Sequence, residues 1–129
     1  AGVPLLCGTE SGFSLTPYGE WHYRELEVFV RELGFSTIEA IKAATSEAAR
    51  GLCMNGETGA LTEGLLADVI VVRGAVDQDV TLLAEPGHIE RVILNGELLE
   101  LPAPSPRDDP PGWRVSHYGK GILRREDIK

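Results

Sequence analysis

The amino-acid sequence predicts a mixed α and β fold of a single domain, in which a helical hairpin packs on a small, largely antiparallel sheet. Three observations carry this prediction. Apolar residues recur with helical spacing across residues 20–52, an unbroken β-branched run lies at residues 69–72, and an Asn-Gly pair separates two later apolar runs. A chain of 129 residues, 43% of them hydrophobic, is expected to bury one modest core.

The chain opens with the apolar stretch GVPLLC, and residues 2–7 are predicted to form a buried strand. The polar sequence Gly8-Thr9-Glu10-Ser11 follows at once. Residues 8–18 contain two glycines, one proline and several hydroxyl side chains, a composition that favours a loop. Glu10 is therefore expected at the mouth of a strand, a place where many α/β enzymes keep a catalytic group.

A first helix is predicted from residue 20, because apolar side chains then recur at i, i+3, i+4 and i+7 and form one stripe. Gly34 is expected to end this helix, since glycine readily takes the left-handed backbone conformation found after helix C-termini. The stripe consists of Leu26, Phe29, Val30 and Leu33.

A second helix is predicted to begin at Ser36, which forms a capping box with Glu39. The short connection between the two helices favours a helical hairpin. Small residues on the buried face of this second helix would allow close approach to its neighbour. That predicted face consists of Ile38, Ile41, Thr45, Ala48, Ala49 and Leu52.

The second half of the chain is predicted to be mainly strands. Residues 69–72 read Val-Ile-Val-Val, which is typical of a strand covered on both faces. A short element is expected at residues 80–84, and Asn95-Gly96 between apolar runs predicts a β-hairpin. Residues 1–101 are assigned to the domain, and residues 102–129, with five of the eight prolines, to an extended or partly disordered tail.

Composition narrows the classes of partner. The formal net charge is −8, which argues against nucleic acid or an anionic membrane as the main partner. No apolar run approaches the roughly 20 residues that a membrane helix needs, and no signal peptide is recognisable. Cys7 and Cys53 are too few for a disulfide scaffold, so a cytoplasmic, reducing compartment fits best.

Three stretches occur in order along residues 2–101 and together resemble one known family. They are GTESGFSLTPYGEWHYRELEVFVRELGFSTIEAIKAATSEAARGL, GALTEGLLADVIVVRG and IERVILNGELLEL. The combination resembles the C-terminal portion of the metal-dependent amidohydrolases, with imidazolonepropionase-like and prolidase-like members as the nearest relatives. This resemblance implies a (β/α)8 barrel with its active site at the carboxyl ends of the strands, hydrolysis of C–N bonds, and a metal ion, often zinc, that activates water.

The resemblance also implies a role for Glu10. Residues 2–7 match the last barrel strand of the family, and Glu10 stands where the family has the aspartate that manages the proton of the attacking water. Glutamate is one methylene longer than aspartate, which displaces its carboxylate by about 1.5 Å, and displacements near 1 Å cost catalysis on the order of a hundredfold. The resemblance further implies substrate contacts from Thr16, Tyr18, Trp21 and His22, although Tyr18 and Trp21 would equally well cover the first helix.

The family's metal-binding histidines have no counterpart in this sequence. Its three histidines, at positions 22, 88 and 117, fall in three different predicted elements, whereas a catalytic zinc takes about three converging ligands. We therefore expect neither a metal site nor a cofactor in the isolated chain. Each histidine also has a plain structural reading, as a polar position in a first helical turn, in a loop or in the tail.

Three hypotheses about function remain open at this point, and whether the chain is an enzyme stays open with them. In the first hypothesis, the chain is an amidohydrolase C-terminal segment without activity of its own. In the second, it is one half of a split metal-dependent hydrolase. In the third, it is a small-molecule-binding or oligomerisation module that reuses the scaffold. The apolar surface left over by so few strands predicts a homo-oligomer or docking on a second chain.

Overall fold

The structure is a computed structural model that describes residues 2–11, 21–84 and 86–100. It confirms the mixed α and β class and the small antiparallel sheet. The predicted proline-rich tail lies outside the described residues. The elements in chain order are helices α1 (Trp21–Arg31), α2 (Thr37–Ala44) and α3 (Ser46–Gly51), strand β1 (Val69–Val72), two 3-10 helices (Val80–Ala84 and Pro86–His88), and strands β2 (Ile89–Leu94) and β3 (Glu97–Leu99).

Residues 2–10 form neither a helix nor a strand, so the predicted opening strand is wrong for the chain as described. A strand needs a neighbour whose backbone groups complete its hydrogen bonds, and no described strand pairs with this segment. Its contact with the helices instead includes a hydrogen bond of 3.0 Å from the Cys7 amide to the Ala43 carbonyl. The predicted burial is also wrong, because the Val3 side chain is 77% exposed.

Helix α1 buries the predicted stripe in part. Leu26 and Phe29 are buried and Val30 is packed against them, whereas Leu33 lies beyond the helix end and is exposed. The ring of Phe29 meets that of Phe35 edge to face at 5.1 Å, which closes the turn between α1 and α2.

The capping box at the start of α2 is present as predicted. The Ser36 hydroxyl accepts a hydrogen bond of 3.3 Å from the Glu39 amide, and the Glu39 carboxylate accepts one of 2.8 Å from the Ser36 amide. These two bonds satisfy amides that have no partner within the first helical turn. The cap therefore fixes where α2 begins, with five residues between the two helices.

The predicted single second helix is broken into α2 and α3 at Thr45. The backbone of Thr45 leaves the helical region, with φ −125° and ψ −92°, and its hydroxyl donates to the Ile41 carbonyl at 2.7 Å. Threonine favours such local bonds over continued helix because its hydroxyl reaches the carbonyl one turn back. Thr45 thus sits at the break rather than on a continuous buried face.

The buried face of α2 differs from the predicted one. Ala40 and Ala43 are buried against α1, whereas Ile38 is exposed and Leu52, beyond α3, is 72% exposed. The alanines occupy this interface because a side chain of one methyl group lets two helices approach closely. Ala49 of α3 is buried as predicted.

The sheet has the strand order β1-β2-β3, with both pairs antiparallel. Asn95 and Gly96, with φ values of 50° and 81°, connect β2 to β3, so the predicted hairpin is confirmed. Strand β1 lies at the edge of this described sheet, and Ile70 is 56% exposed, contrary to the predicted cover on both faces. The first 3-10 helix, at the predicted position, joins the two halves because Val80 packs into the core with Leu26 and Phe29. No helix in the described ranges is long and apolar enough to cross a bilayer.

Candidate functional site

The segment that carries Glu10 is attached to α1 and α2 by backbone hydrogen bonds on consecutive residues. The Cys7 amide donates to the Ala43 carbonyl of α2 at 3.0 Å. The next amide, that of Gly8, donates to the Glu25 carboxylate of α1 at 3.2 Å. The two bonds hold the chain against both helices immediately before it reaches Glu10.

Glu10 itself lies in a tight polar turn. Its backbone has φ 48°, in the left-handed region, which costs a non-glycine residue about 1–2 kcal/mol. The turn is braced by a hydrogen bond of 2.7 Å between the hydroxyls of Thr9 and Ser11. The Glu10 side chain is exposed. A strained backbone that carries an exposed acid is a feature often found at functional sites.

Of the predicted substrate contacts, His22 lies next to this turn. Its Nδ1 atom is 3.4 Å from the Thr9 hydroxyl, and both residues line an open cleft of about 320 Å³ together with Cys7, Gly8 and Ala44. Trp21, the first residue of α1, is partly buried and is not among the residues that line the cleft. Thr16 and Tyr18 lie outside the described residues.

The Cys7 thiol is not poised as a nucleophile. Burial, and then the negative charge of Glu25, raise the pKa of the Cys7 thiol to about 11. The thiolate is the nucleophilic form of cysteine, so a thiol with this pKa stays protonated and unreactive near neutral pH. Cys7 is half-buried and packs against the core that includes Leu26 and Phe29.

Sequence reasoning missed Glu25. This residue follows His22 by three positions, so the two side chains share one face of α1. Their spacing is the signal that would have placed both beside the turn at Thr9 and Glu10. The residue escaped notice because glutamate at a polar helical position usually faces solvent.

The described residues do not bring together the side chains that a metal site needs. No three His, Cys, Asp or Glu side chains there come together in a way that would hold a metal ion. His88 is engaged elsewhere, with its Nδ1 atom 2.7 Å from the Arg73 carbonyl near the sheet. His117 lies outside the described residues.

Comparison with known proteins gives consistent matches. Ochratoxinase of Aspergillus niger is 34% identical over 107 residues, which are 82% of this chain and 21% of ochratoxinase. A prolidase-type protein from Bifidobacterium longum is 32% identical and superposes with a TM-score of 0.74, over 91% of this chain and 26% of that one. A Xaa-Pro dipeptidase with methionine in its active site is 32% identical, with a TM-score of 0.68 over 78% of this chain and 23% of its own.

The chain thus spans about a fifth of the length of the curated relatives it matches. The model of the amidohydrolase family matches residues 1–99, more than three quarters of the sequence. The family model, the ochratoxinase match and the structural neighbours agree with one another, and the chain therefore belongs to the amidohydrolase family.

Proposed function

We propose that this chain supplies the proton-handling carboxylate, Glu10, to a hydrolase of C–N bonds, and that it is not catalytic by itself. The observation that carries the proposal is the turn at Glu10. An exposed acid on a left-handed backbone directly follows residues 7–9, which line an open cleft and are bonded to two helices. The match to the amidohydrolase family over residues 1–99 supports the type of reaction.

The substrate class we propose is an amide, including the bond between an amino acid and proline. Structural neighbours described as a prolidase and a Xaa-Pro dipeptidase support this choice. In the proposed reaction, the Glu10 carboxylate takes a proton from the attacking water while the water oxygen bonds to the amide carbon. The proton then passes to the amide nitrogen as the C–N bond breaks, leaving a carboxylic acid and an amine.

The chain's own residues have supporting tasks in this scheme. Thr9 and Ser11 brace the turn, and the cleft lined by His22 and Gly8 would receive the substrate. In the family a metal ion, often zinc, polarises the amide and acidifies water. The described residues of this chain do not gather the donors for it. This mismatch is the reason for proposing that the chain is not catalytic alone.

A second candidate is that the chain is one half of a split hydrolase, docked on another polypeptide. The observation that favours it is the apolar, exposed start of the described chain, where Val3, Leu5 and Leu6 all face solvent. Contiguous apolar residues on a surface commonly mark a docking site. A homo-oligomer through the same residues, or a module that binds a small molecule in the cleft, would use these features without hydrolysis.

The test of the proposal is a graft. This chain replaces the matching 23% of Xaa-Pro dipeptidase, and hydrolysis of a Xaa-Pro dipeptide is measured. We expect an active chimera in which Glu10→Gln lowers kcat by about 10²–10⁴-fold, the usual contribution of a general base. Glu32→Gln, which removes a carboxylate just past the end of α1, is the matched control and should leave the rate unchanged.

The isolated chain is examined in parallel by native mass spectrometry, metal analysis and the same assay. We expect no stoichiometric metal and no turnover. Turnover by the isolated chain that disappears in Glu10→Gln would overturn the statement that it is inactive alone. A chimera that hydrolyses the dipeptide equally well with glutamine at position 10 would overturn the role of Glu10. A stable complex with an unrelated, metal-carrying polypeptide would favour the split hydrolase.

A further inference from the structure

We propose that Glu25 is a positioning residue for Glu10: its carboxylate fixes the Gly8 amide and thereby sets the turn that presents the Glu10 side chain. The inference rests on the proposed function of Glu10. It extends that function to a side chain of α1 that lies fifteen residues away in sequence and acts through the backbone.

The geometry of residues 7–9 carries the inference. Each has a polar contact with a helix, in sequence order. Cys7 is bonded to Ala43 of α2, and Gly8 is bonded to Glu25 of α1. The Thr9 hydroxyl lies 3.4 Å from His22, one turn before Glu25 on α1. The Glu25 bond is the middle one, and it is the last backbone hydrogen bond described before the chain enters the left-handed conformation at Glu10.

The two oxygens of the Glu25 carboxylate lie in different environments. One oxygen accepts the Gly8 amide, and the other is buried with no hydrogen-bond partner in the described part of the chain. Burying such an oxygen is costly, and glutamine at this position would accept the same amide without placing a negative charge there. A charged acceptor makes a stronger hydrogen bond than a neutral one, so the Glu25 carboxylate holds the Gly8 amide more firmly than a glutamine side chain would.

Two conservative variants separate the hydrogen bond from the charge. Glu25→Asp keeps the charge but shortens the side chain by about 1.5 Å, which takes the acceptor out of hydrogen-bond reach of Gly8. Glu25→Gln keeps the reach and loses the charge. We expect hydrogen exchange of the Gly8 amide, followed by NMR on the full chain, to accelerate about tenfold or more in Glu25→Asp and less in Glu25→Gln. Glu32→Asp is the control, and the Glu39 amide reports that α2 remains folded.

The reactivity of Cys7 provides a second readout that a merely structural role of α1 would not move. In a Cys53→Ser background, the pH profile of Cys7 alkylation should shift to lower pH in Glu25→Gln, because a negative charge that opposes the thiolate is gone. The profile should stay closer to that of the parent chain in Glu25→Asp. Equal Gly8 exchange in the parent and both folded variants would overturn the inference.

The dipeptidase chimera distinguishes this inference from the proposed function. We expect Glu25→Asp in the chimera to lower kcat with little change in KM, since the Glu10 carboxylate is displaced while the cleft remains. An unchanged kcat together with faster Gly8 exchange would overturn the positioning role. A kcat that is the same with and without Glu10→Gln would instead overturn the proposed function, whatever effect the Glu25 variants have on exchange of the Gly8 amide.

Discussion

The carboxylate of Glu27 is buried on α1, with 2% of its side chain exposed, and is matched by two arginines of the same helix. Arg24 donates to both carboxylate oxygens, at 3.0 and 3.1 Å, and is itself only 14% exposed. Arg31 approaches to 3.5 Å from a side chain that is 47% exposed. The two arginines therefore compensate the same buried charge from very different environments.

Replacing Arg24 with methionine is expected to cost about 3 kcal/mol of unfolding free energy, because a buried carboxylate would lose its main partner. The contact of Arg24 with the Tyr23 ring, at 5.2 Å, would be lost as well. Replacing Arg31 with methionine is expected to cost only about 0.5 kcal/mol, since solvent screens its more distant and exposed charge. A domain of this size has a total stability of roughly 5–15 kcal/mol, so the first variant would be close to unfolding at modest denaturant.

The measurement is urea unfolding followed by far-ultraviolet circular dichroism, with Arg24→Met, Arg31→Met, Glu27→Met and the double variant at positions 24 and 27. Removing both charges leaves no unpaired buried ion, so the double variant should be more stable than Arg24→Met alone. Equal costs for the two arginines, or a double variant no more stable than Arg24→Met, would refute the assignment of Arg24 as the partner that makes the burial of Glu27 tolerable.

Two further predictions concern helix ends. Cys53 has φ 60° and occupies the position after α3 where glycine is favoured, so Cys53→Gly should raise the unfolding midpoint by an amount corresponding to roughly 1 kcal/mol, measured by thermal denaturation. Ser36→Ala should destabilise the chain at neutral pH, because the Ser36 hydroxyl and then its amide lower the pKa of the Glu39 carboxyl through hydrogen bonds. That part of the destabilisation is fully present above pH 4.5, the ordinary pKa of a glutamate carboxyl, and should fade as acid protonates Glu39 in the folded chain. A difference in unfolding free energy between the parent chain and Ser36→Ala that grew on acidification would contradict this prediction.

The features that could be predicted from the sequence are those decided by a few adjacent residues. The capping box at Ser36 and the Asn95-Gly96 hairpin both formed as expected, because each depends on local backbone geometry and local hydrogen bonds. The run at Val69–Val72 likewise formed a strand once residues 89–94 were available to pair with it. The place of Glu10 in a polar turn after the opening segment was predicted from residues 2–11, whereas the role assigned to Glu10 came from the resemblance to the family.

The features that could not be predicted depend on what lies opposite a residue. The opening segment has the composition of a buried strand, but composition does not supply the neighbour that a strand needs. The face of α2 was misassigned because a pattern of large apolar residues does not reveal that α1 approaches closely at Ala40 and Ala43. The carboxylate of Glu25 was overlooked for a related reason, since only the fold brings the Gly8 amide to it.

The two glutamates show how α1 serves both stability and the proposed site. Glu27 pairs with two arginines of its own helix, so its contacts contribute to the stability of α1. Glu25, two residues earlier, faces the segment before Glu10 and bonds the backbone there. Neighbouring residues two apart point to different sides of a helix, so losing one carboxylate need not disturb the other. Variants at Glu27 should therefore change the unfolding free energy without altering exchange at Gly8, whereas Glu25→Asp should alter that exchange at little cost in global stability.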